Sequence, residues 1–384
     1  MRFFVPTNIY IENDCVKNHA DLLCAIGQRA LIVTGQHSAA ANGSLNDVTN
    51  TLIAGDIPYL IFSEVEENPS TDTVEKATEI AHKFNADFII GIGGGSAIDA
   101  AKAVALLLVN PDINANEIHN APNHPRNHAP VVAVPTTCGT GSEATPVSII
   151  TNHKINLKKS IPHVIFPELA LVDGKYLASA KKQLIVNTAV DALAHMVESI
   201  LNVKSNLLNR MCPEYGLKLW GESKYALLLD CDNGDKDGNA IDAINTAPID
   251  ACLYEKLMLT STIAGMSIAQ TSTAVPHGMS YDLTLHAGIP LGPAVGYFLA
   301  AYVEVCAKFV PQDVEKILSL LGLKDIEEFG EMLRKLIGTC TVSREMRDQF
   351  AAAMKEIHSK LDLVPGKITP EDIDYIYEKS LIVG

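Results

Sequence analysis

The sequence predicts a two-part fold: an α/β domain on a mainly parallel sheet, then an all-α domain. Three observations predict it. Short apolar runs alternate with amphipathic stretches up to about residue 175, and long helical patterns replace them after about residue 178. A Gly-rich turn, Gly93-Gly94-Gly95-Ser96, directly follows one of the apolar runs. Strands alternating with helices imply a parallel sheet covered by helices. The domains are expected at residues 1–177 and 178–384.

The elements follow in order. Buried-strand signals are Ala30-Leu31-Ile32-Val33-Thr34, Tyr59-Leu60-Ile61-Phe62, Asp87 to Ile92, Val131 to Pro135, and Leu169 to Asp173. Each is a short run bounded by turn formers or charges. Thr71 to Phe84 carries a helical apolar pattern between two of them. The second half reads as helices over Lys182 to Leu201, Leu253 to Gln270 and Glu327 to Leu336.

With 384 residues, 47% hydrophobic and 20% charged, the chain is long enough for two cores. A net charge of −15 argues against duplex nucleic acid or an anionic membrane surface as partner. Eight scattered cysteines without a C-x-x-C pair read as reduced thiols of a cytoplasmic protein. Met1-Arg2-Phe3-Phe4-Val5-Pro6 lacks an apolar signal core, and no run of about 18 apolar residues predicts a membrane span.

Two loop segments resemble ion sites and are read as loops. Asp230 to Gly238 is acidic, but a calcium loop opening at Asn233 would close on Ile244, where a bidentate Glu is needed. His119, His124 and His128 are interleaved with Pro122 and Pro125.

The chemistry concentrates in two places. Asp191-Ala-Leu-Ala-His195 sets a carboxylate and an imidazole four residues apart, on one helix face. His277, in a Pro-His-Gly context, is a third donor suited to a divalent metal. Gly91-Ile92-Gly93-Gly94-Gly95-Ser96 follows a strand and opens a helix, where free N–H groups and the dipole favour a pyrophosphate. It departs from the G-x-G-x-x-G fingerprint at Ser96. Pro135-Thr136-Thr137-Cys138-Gly139-Thr140-Gly141-Ser142-Glu143 adds hydroxyls suited to ribose, phosphate or carboxamide groups. The nucleotide and metal motifs fall on opposite sides of the expected boundary, a common setting for a ligand site.

Together these motifs, with Asp99, Lys102 and Ala264-Gly265 ahead of His277-Gly278, closely resemble the iron-containing (group III) alcohol dehydrogenases across essentially the whole chain. The resemblance implies an N-terminal Rossmann-like domain, a helical C-terminal domain, NAD(P), a divalent metal (Fe2+ or Zn2+), and a homodimer. It implies that Gly93, Gly94, Gly95 and Ser96 receive the pyrophosphate, with Asp99, Thr136, Thr137 and Thr140 near the cofactor. It further implies that Lys159, or its neighbour Lys158, contacts the cofactor and that Asn68-Pro69 lines the adenosine side. NAD-preferring relatives often carry an Asp after the first strand. This chain has Gly35 there, then Gln36, His37 and Ser38, so NADP(H) becomes acceptable and Ser38 could donate to its phosphate.

The family pattern holds its metal with Asp191, His195, His277 and a fourth imidazole fourteen residues after His277. Here that position is Leu291, and a second position, often His, is Tyr281. Three readings stand: a three-ligand metal, His286 as substitute ligand, or a metal-free reductase, including a catalytically silent nucleotide-binding homologue. In the metal-bound reading the ion stabilises the oxyanion while hydride moves to or from the nicotinamide. Tyr281 or His286 relays the proton. Without metal, His277 and Tyr281 polarise the oxygen by hydrogen bonding. A small alcohol or aldehyde is the implied substrate; a dehydroquinate-synthase-like lyase matches the ligand contexts less well.

Overall fold

The computed structural model describes residues 1–120, 127–229 and 251–384. The acidic segment from Asp230 to Gly238, Ile244, Pro122, His124 and Pro125 lie outside the described residues.

The strands are β1 (Asn8–Ile11), β2 (Ala30–Gly35), β3 (Tyr59–Val65), β4 (Phe88–Gly93), β5 (Val131–Pro135), β6 (Ile149–Asn152), β7 (Leu157–Ser160), β8 (Leu169–Val172), β9 (Cys340–Val342) and β10 (Leu381–Val383). Six form one sheet in the order β1-β8-β5-β4-β2-β3. Every neighbouring pair in it is parallel. All five strands expected from apolar runs are in this sheet.

Their alternation divides the core by face. Leu31, Val33, Ile89 and Val131 join the cluster on one side, beneath the helices Thr71–Phe84 and Gly95–Val109. Ala30, Ile32, Ile90, Val132, Val134 and Leu171 join the cluster on the other. Continuous apolar runs are what a strand covered on both faces requires. Within Thr71–Phe84 the Ser70 hydroxyl accepts from the Thr73 N–H, and Asn85 ends the helix in the left-handed region.

The chain order makes a switch in this sheet. β2 leads outward to β3, whereas β4, its other neighbour, leads the opposite way to β5. The crevice beyond the carboxyl ends of β2 and β4 is therefore where an open α/β sheet takes a ligand. Gly35 ends β2 and Gly93 ends β4.

By contact density the chain forms two compact units. One holds Phe4–Ala180 and Asp250–Ala269; the other holds Met1–Phe3, Lys181–Ile249 and Gln270–Gly384. The first includes the sheet, the antiparallel β6–β7 pair, and most of the helix Ala251–Thr271. The second is helical, with Lys182–Ile200, Met211–Leu228, Val275–His286 and Leu291–Ala307 among its helices. It also carries the three-residue parallel pair β9–β10. Among the described residues no helix is long and apolar enough to cross a membrane.

Candidate functional site

In the sheet unit, the helix Gly95–Val109 starts directly after β4, and no side chain caps its first turn. Its N–H groups thus face outward where an anion would bind. Gly93 has φ of 147°, a backbone conformation that side chains rarely adopt. A Cβ on Gly95 would stand 2.7 Å from Thr140 Cγ2, and one on Gly94 would stand 3.1 Å from Thr137 Oγ1. The glycines and the threonine loop are therefore in direct apposition. The Thr136 N–H donates to the Gly93 carbonyl at 2.9 Å, and the Asn68 N–H donates to Ser96 Oγ at 3.3 Å. Asn68 itself is in the left-handed region, with φ of 59°. Gly35 is half-buried at the end of β2, and Ser38 is exposed three residues on.

Asp99 has a different setting from the glycines. Its Oδ1 accepts from Ser142 Oγ at 2.6 Å and its Oδ2 from the Ile149 N–H at 2.9 Å. Buried Lys102 donates to the carbonyls of Ser142, Thr145 and Val147 at 2.7, 3.0 and 2.8 Å. These bonds tie the loop after β5 to the helix. Burial pushes the Asp99 carboxyl up and the Lys102 ammonium down to about 8, against the pull of Asp99 and Glu143.

Lys159 is exposed, whereas its neighbour Lys158 is half-buried and its charge is felt at Asp99. Strand alternation in β7 gives the two lysines opposite faces. His119 Nε2 lies 3.0 and 3.1 Å from the carbonyls of Ile150 and Lys159, and His128 Nδ1 lies 2.9 Å from the Ala129 carbonyl. Both have structural surroundings, as expected of loop residues.

Ala264-Gly265 is explained by packing. A Cβ on Gly265 would stand 2.2 Å from the Gly141 carbonyl oxygen, and Gly141 is itself left-handed, with φ of 58°. Close by, Thr262 Oγ1 donates to Glu143 Oε1 at 2.8 Å inside the core.

In the helical unit, Asp191, His195 and His277 come together. One donor atom from each lies within 4.8 Å of the others, and all three residues are buried. Asp191 Oδ1 is 3.4 Å from His277 Nε2 and 3.8 Å from His195 Nε2. Tetrahedral ligands at about 2.1 Å from an ion stand roughly 3.4 Å apart, so the set fits a divalent metal. The two imidazoles stack at 4.6 Å between centroids, 13° from parallel. The helix Lys182–Ile200 supplies two of the donors, and Trp220 Nε1 donates to its Ala189 carbonyl at 2.7 Å.

The sequence reading missed Glu198. This fully buried carboxylate accepts from the N–H groups of Ala274 and His277 at 3.0 and 3.2 Å and pairs through Oε2 with His277 Nδ1. It stands seven residues after Asp191 and three after His195, so helical phase was the available signal. Burial disfavours the imidazolium of His277, but the Glu198 and Asp191 carboxylates outweigh it and push the group up to about 10. Burial also raises the Glu198 carboxyl, and the charge and hydrogen bonds of His277 bring it below its ordinary value.

Other expected residues are more distant. His286 ends its helix exposed, nine residues after His277, stacking on Phe350 at 5.9 Å. Nine residues are about two and a half turns, which points it away from the His277 face. His286 is therefore not part of the Asp191 cluster among the described residues. Tyr281 is one turn from His277 and half-buried, its ring 5.9 Å from Lys360 Nζ. Lys360 Nζ donates to the carbonyl and hydroxyl of Thr273 at 2.9 and 2.6 Å. Leu291 begins the helix Leu291–Ala307 and is partly buried. At adjacent Gly292 a Cβ would stand 1.8 Å from the carbonyl oxygen of Asn187, one turn before Asp191. Gly278 is less confined: a Cβ there would stand 3.0 Å from Met354 Sδ, on a side chain that can move.

Comparison with known proteins agrees with this geometry. Residues 6–174 match the iron-containing alcohol dehydrogenase family, and residues 185–363 match the C-terminal domain of the Fe-containing alcohol dehydrogenase family. A crystal structure of an iron-containing alcohol dehydrogenase is 34% identical, with a TM-score of 0.87, covering 99% of this chain and 98% of that one. An iron-containing alcohol dehydrogenase from Thermotoga maritima is 33% identical, with a TM-score of 0.87 and 99% of both chains covered. An NADPH-dependent butanol dehydrogenase from Clostridium saccharobutylicum is 25% identical over 94% of this chain and 85% of that protein. The fold, the Asp/His triad and these likenesses define an NAD(P)-dependent oxidoreductase acting on CH–OH groups, an alcohol dehydrogenase or aldehyde reductase. The chain belongs to the iron-containing alcohol dehydrogenase family.

Proposed function

We propose that this enzyme interconverts small aldehydes and primary alcohols with NADP(H), using a divalent metal held by only three side chains, Asp191, His195 and His277. The observation that carries the reading is the buried donor set, each atom within 4.8 Å of the others. A divalent ion bound there, Fe2+ or Zn2+, supplies positive charge for the oxygen on the reacting carbon. Asp191 offsets part of that charge. His277 offers Nε2 because its Nδ1 is engaged by Glu198. Tyr281, on the His277 face, is the better-supported proton relay, since His286 is half a turn away. At position 291 a helix start offers an apolar side chain where the family pattern has an imidazole.

For the cofactor, we assign the pyrophosphate to Gly93, Gly94, Gly95 and Ser96, supported by the uncapped helix start. Asn68, Thr136, Thr137 and Thr140 form the surrounding wall. Asp99 and Lys102 hold that wall in place. Lys158 suits cofactor contact better than Lys159, on burial. Gly35 and Ser38 leave room for a 2′-phosphate, and the NADPH-dependent butanol dehydrogenase is a relative with that cofactor. The functional division is assigned to residues 1–177 for the nucleotide and 178–384 for the metal. A cytoplasmic homodimer is the assembly we propose, on the family likeness.

Cofactor oxidation with short aldehydes, with added Fe2+, Zn2+ or neither, tests the reading against His195→Ala. Metal-dependent turnover lost in the variant is expected. Equal turnover without metal in both proteins favours the metal-free reductase. Tight NADPH binding with no turnover under any condition favours the silent homologue. A much higher kcat/KM with NADH than with NADPH overturns the cofactor assignment.

A further inference from the structure

We propose that Glu198 is a positioning residue that selects the metal-binding tautomer of His277 while capping the helix on which His277 is carried. The inference rests on His277 being a metal ligand, and it assigns the cause of that competence.

The helix Val275–His286 begins without a side-chain cap from its own N-cap residue, Ala274. Its orphan donors are satisfied from another helix. Glu198 accepts the Ala274 N–H and the His277 N–H through Oε1. The other oxygen, Oε2, pairs with His277 Nδ1. A carboxylate has only acceptors, so all three partners must donate to it. The Nδ1 of His277 therefore carries a proton. Its Nε2 has no hydrogen-bond partner of its own and lies 3.4 Å from Asp191 Oδ1. A neutral imidazole protonated at Nδ1 presents its lone pair at Nε2, which is the form a metal takes.

The isosteric change Glu198→Gln separates this role from packing. A glutamine has one acceptor and one donor end. If its oxygen faces the two backbone N–H groups, its amide N–H faces His277 Nδ1. The imidazole must then accept at Nδ1 and carry its proton on Nε2, where it blocks ligation. If the amide turns over, the imidazole keeps the right tautomer, but two backbone donors confront an amide donor. Only a carboxylate satisfies the helix start and the ligand together.

Two measurements test this. In metal-free wild-type protein labelled with 15N histidine, at a pH above about 10 where the His277 ring is neutral, Nε2 should be unprotonated and the Nδ1 resonance should be that of a protonated nitrogen. In Glu198→Gln it should move to the unprotonated range. A wild-type Nδ1 found unprotonated overturns the proposal, whether or not the variant folds. Separately, Co2+ titrations read by its visible absorption should show about 10–100-fold weaker binding in Glu198→Gln than in wild type. Binding in a folded Glu198→Gln within twofold of wild type overturns the proposal. If wild type binds no Co2+, the metal reading fails, and the Nδ1 resonances alone decide the tautomer. Glu198→Asp, which keeps the charge and shortens the reach, should bind Co2+ better than Glu198→Gln; the reverse order overturns the proposal.

Discussion

Glu198 and His277 are joined twice, once through the backbone N–H of His277 at 3.2 Å and once through its ring nitrogen. A helix start and a metal-ligating side chain thus share one buried carboxylate. The fold around this carboxylate and the chemistry beside it are a single arrangement.

Metal and proton compete at His277. Carboxylates on two sides push the imidazole up to about 10 against the effect of burial, well above the ordinary 6.5. A raised histidine stabilises the metal-free fold fully below about pH 6.5, and the gain is lost as pH rises through about 10. A metal must displace that proton. Apparent Co2+ affinity should therefore increase about tenfold for each pH unit from near 7 to near 9. Calorimetric titration in buffers of different ionisation enthalpy should show close to one proton released per ion. PH-independent affinity with no proton release would count against the Glu198 and Asp191 influence on His277.

Leu291→His restores an imidazole at the start of the Leu291–Ala307 helix. The adjacent Gly292 is already pressed on the carbonyl of Asn187, one turn from Asp191. The new side chain should slow metal loss to a chelator by at least about tenfold, the order associated with one added interaction of about 1.4 kcal/mol. Stopped-flow transfer of Zn2+ to a chromophoric chelator reads this directly. An unchanged rate would mean that the helix start does not bring position 291 to the ion.

Lys102→Met removes the ammonium that three carbonyls share and leaves Asp99 without its buried counter-charge. Breaking one partner from such a set costs about 3–5 kcal/mol. Urea unfolding should show the loss, and NADPH affinity should weaken because the loop from Ser142 to Val147 is no longer tied. Equal stability and equal affinity would show that the apolar stem of Lys102 does the holding.

Gly265→Ala places a methyl group 2.2 Å from the Gly141 carbonyl oxygen. Both sides of this contact are backbone, so neither can yield by a rotamer change. The expected cost is about 1–3 kcal/mol or more, the range for overpacking. A thermal midpoint lowered by several degrees checks it, with Gly330→Ala, a helical glycine whose Cβ would meet nothing nearer than 3.5 Å, as the comparison.

The legible parts of this chain were those with long, uninterrupted patterns. β2, β4, β5 and β8 are continuous apolar runs because both their faces are buried, whereas the edge strand β3 was legible from its apolar run although Leu60 and Ile61 are exposed. β1, β6, β7, β9 and β10 are three or four residues long and were not read; β8 is as short, but all four of its residues are apolar and buried. Asp191 and His195 were legible because four residues are nearly one helical turn. Glu198 lies on the same face, yet its partners are contributed by a segment nearly eighty residues on, and no local pattern encodes that meeting. His286 was read as a substitute ligand, but helical phase turns it from the His277 face, and it is not part of the Asp191 cluster.

The interlock of Gly141 with Gly265 has a consequence for cutting or recombining this protein. The helix Ala251–Thr271 packs into the sheet unit with Gly265 against Gly141, and Thr262 there meets the buried Glu143. A fragment stopped at residue 177 would lack that helix and leave Glu143 without its hydroxyl partner. Modular exchange of a nucleotide-binding half, a natural route to altering cofactor choice, therefore has to carry a helix from the far side of the chain with it.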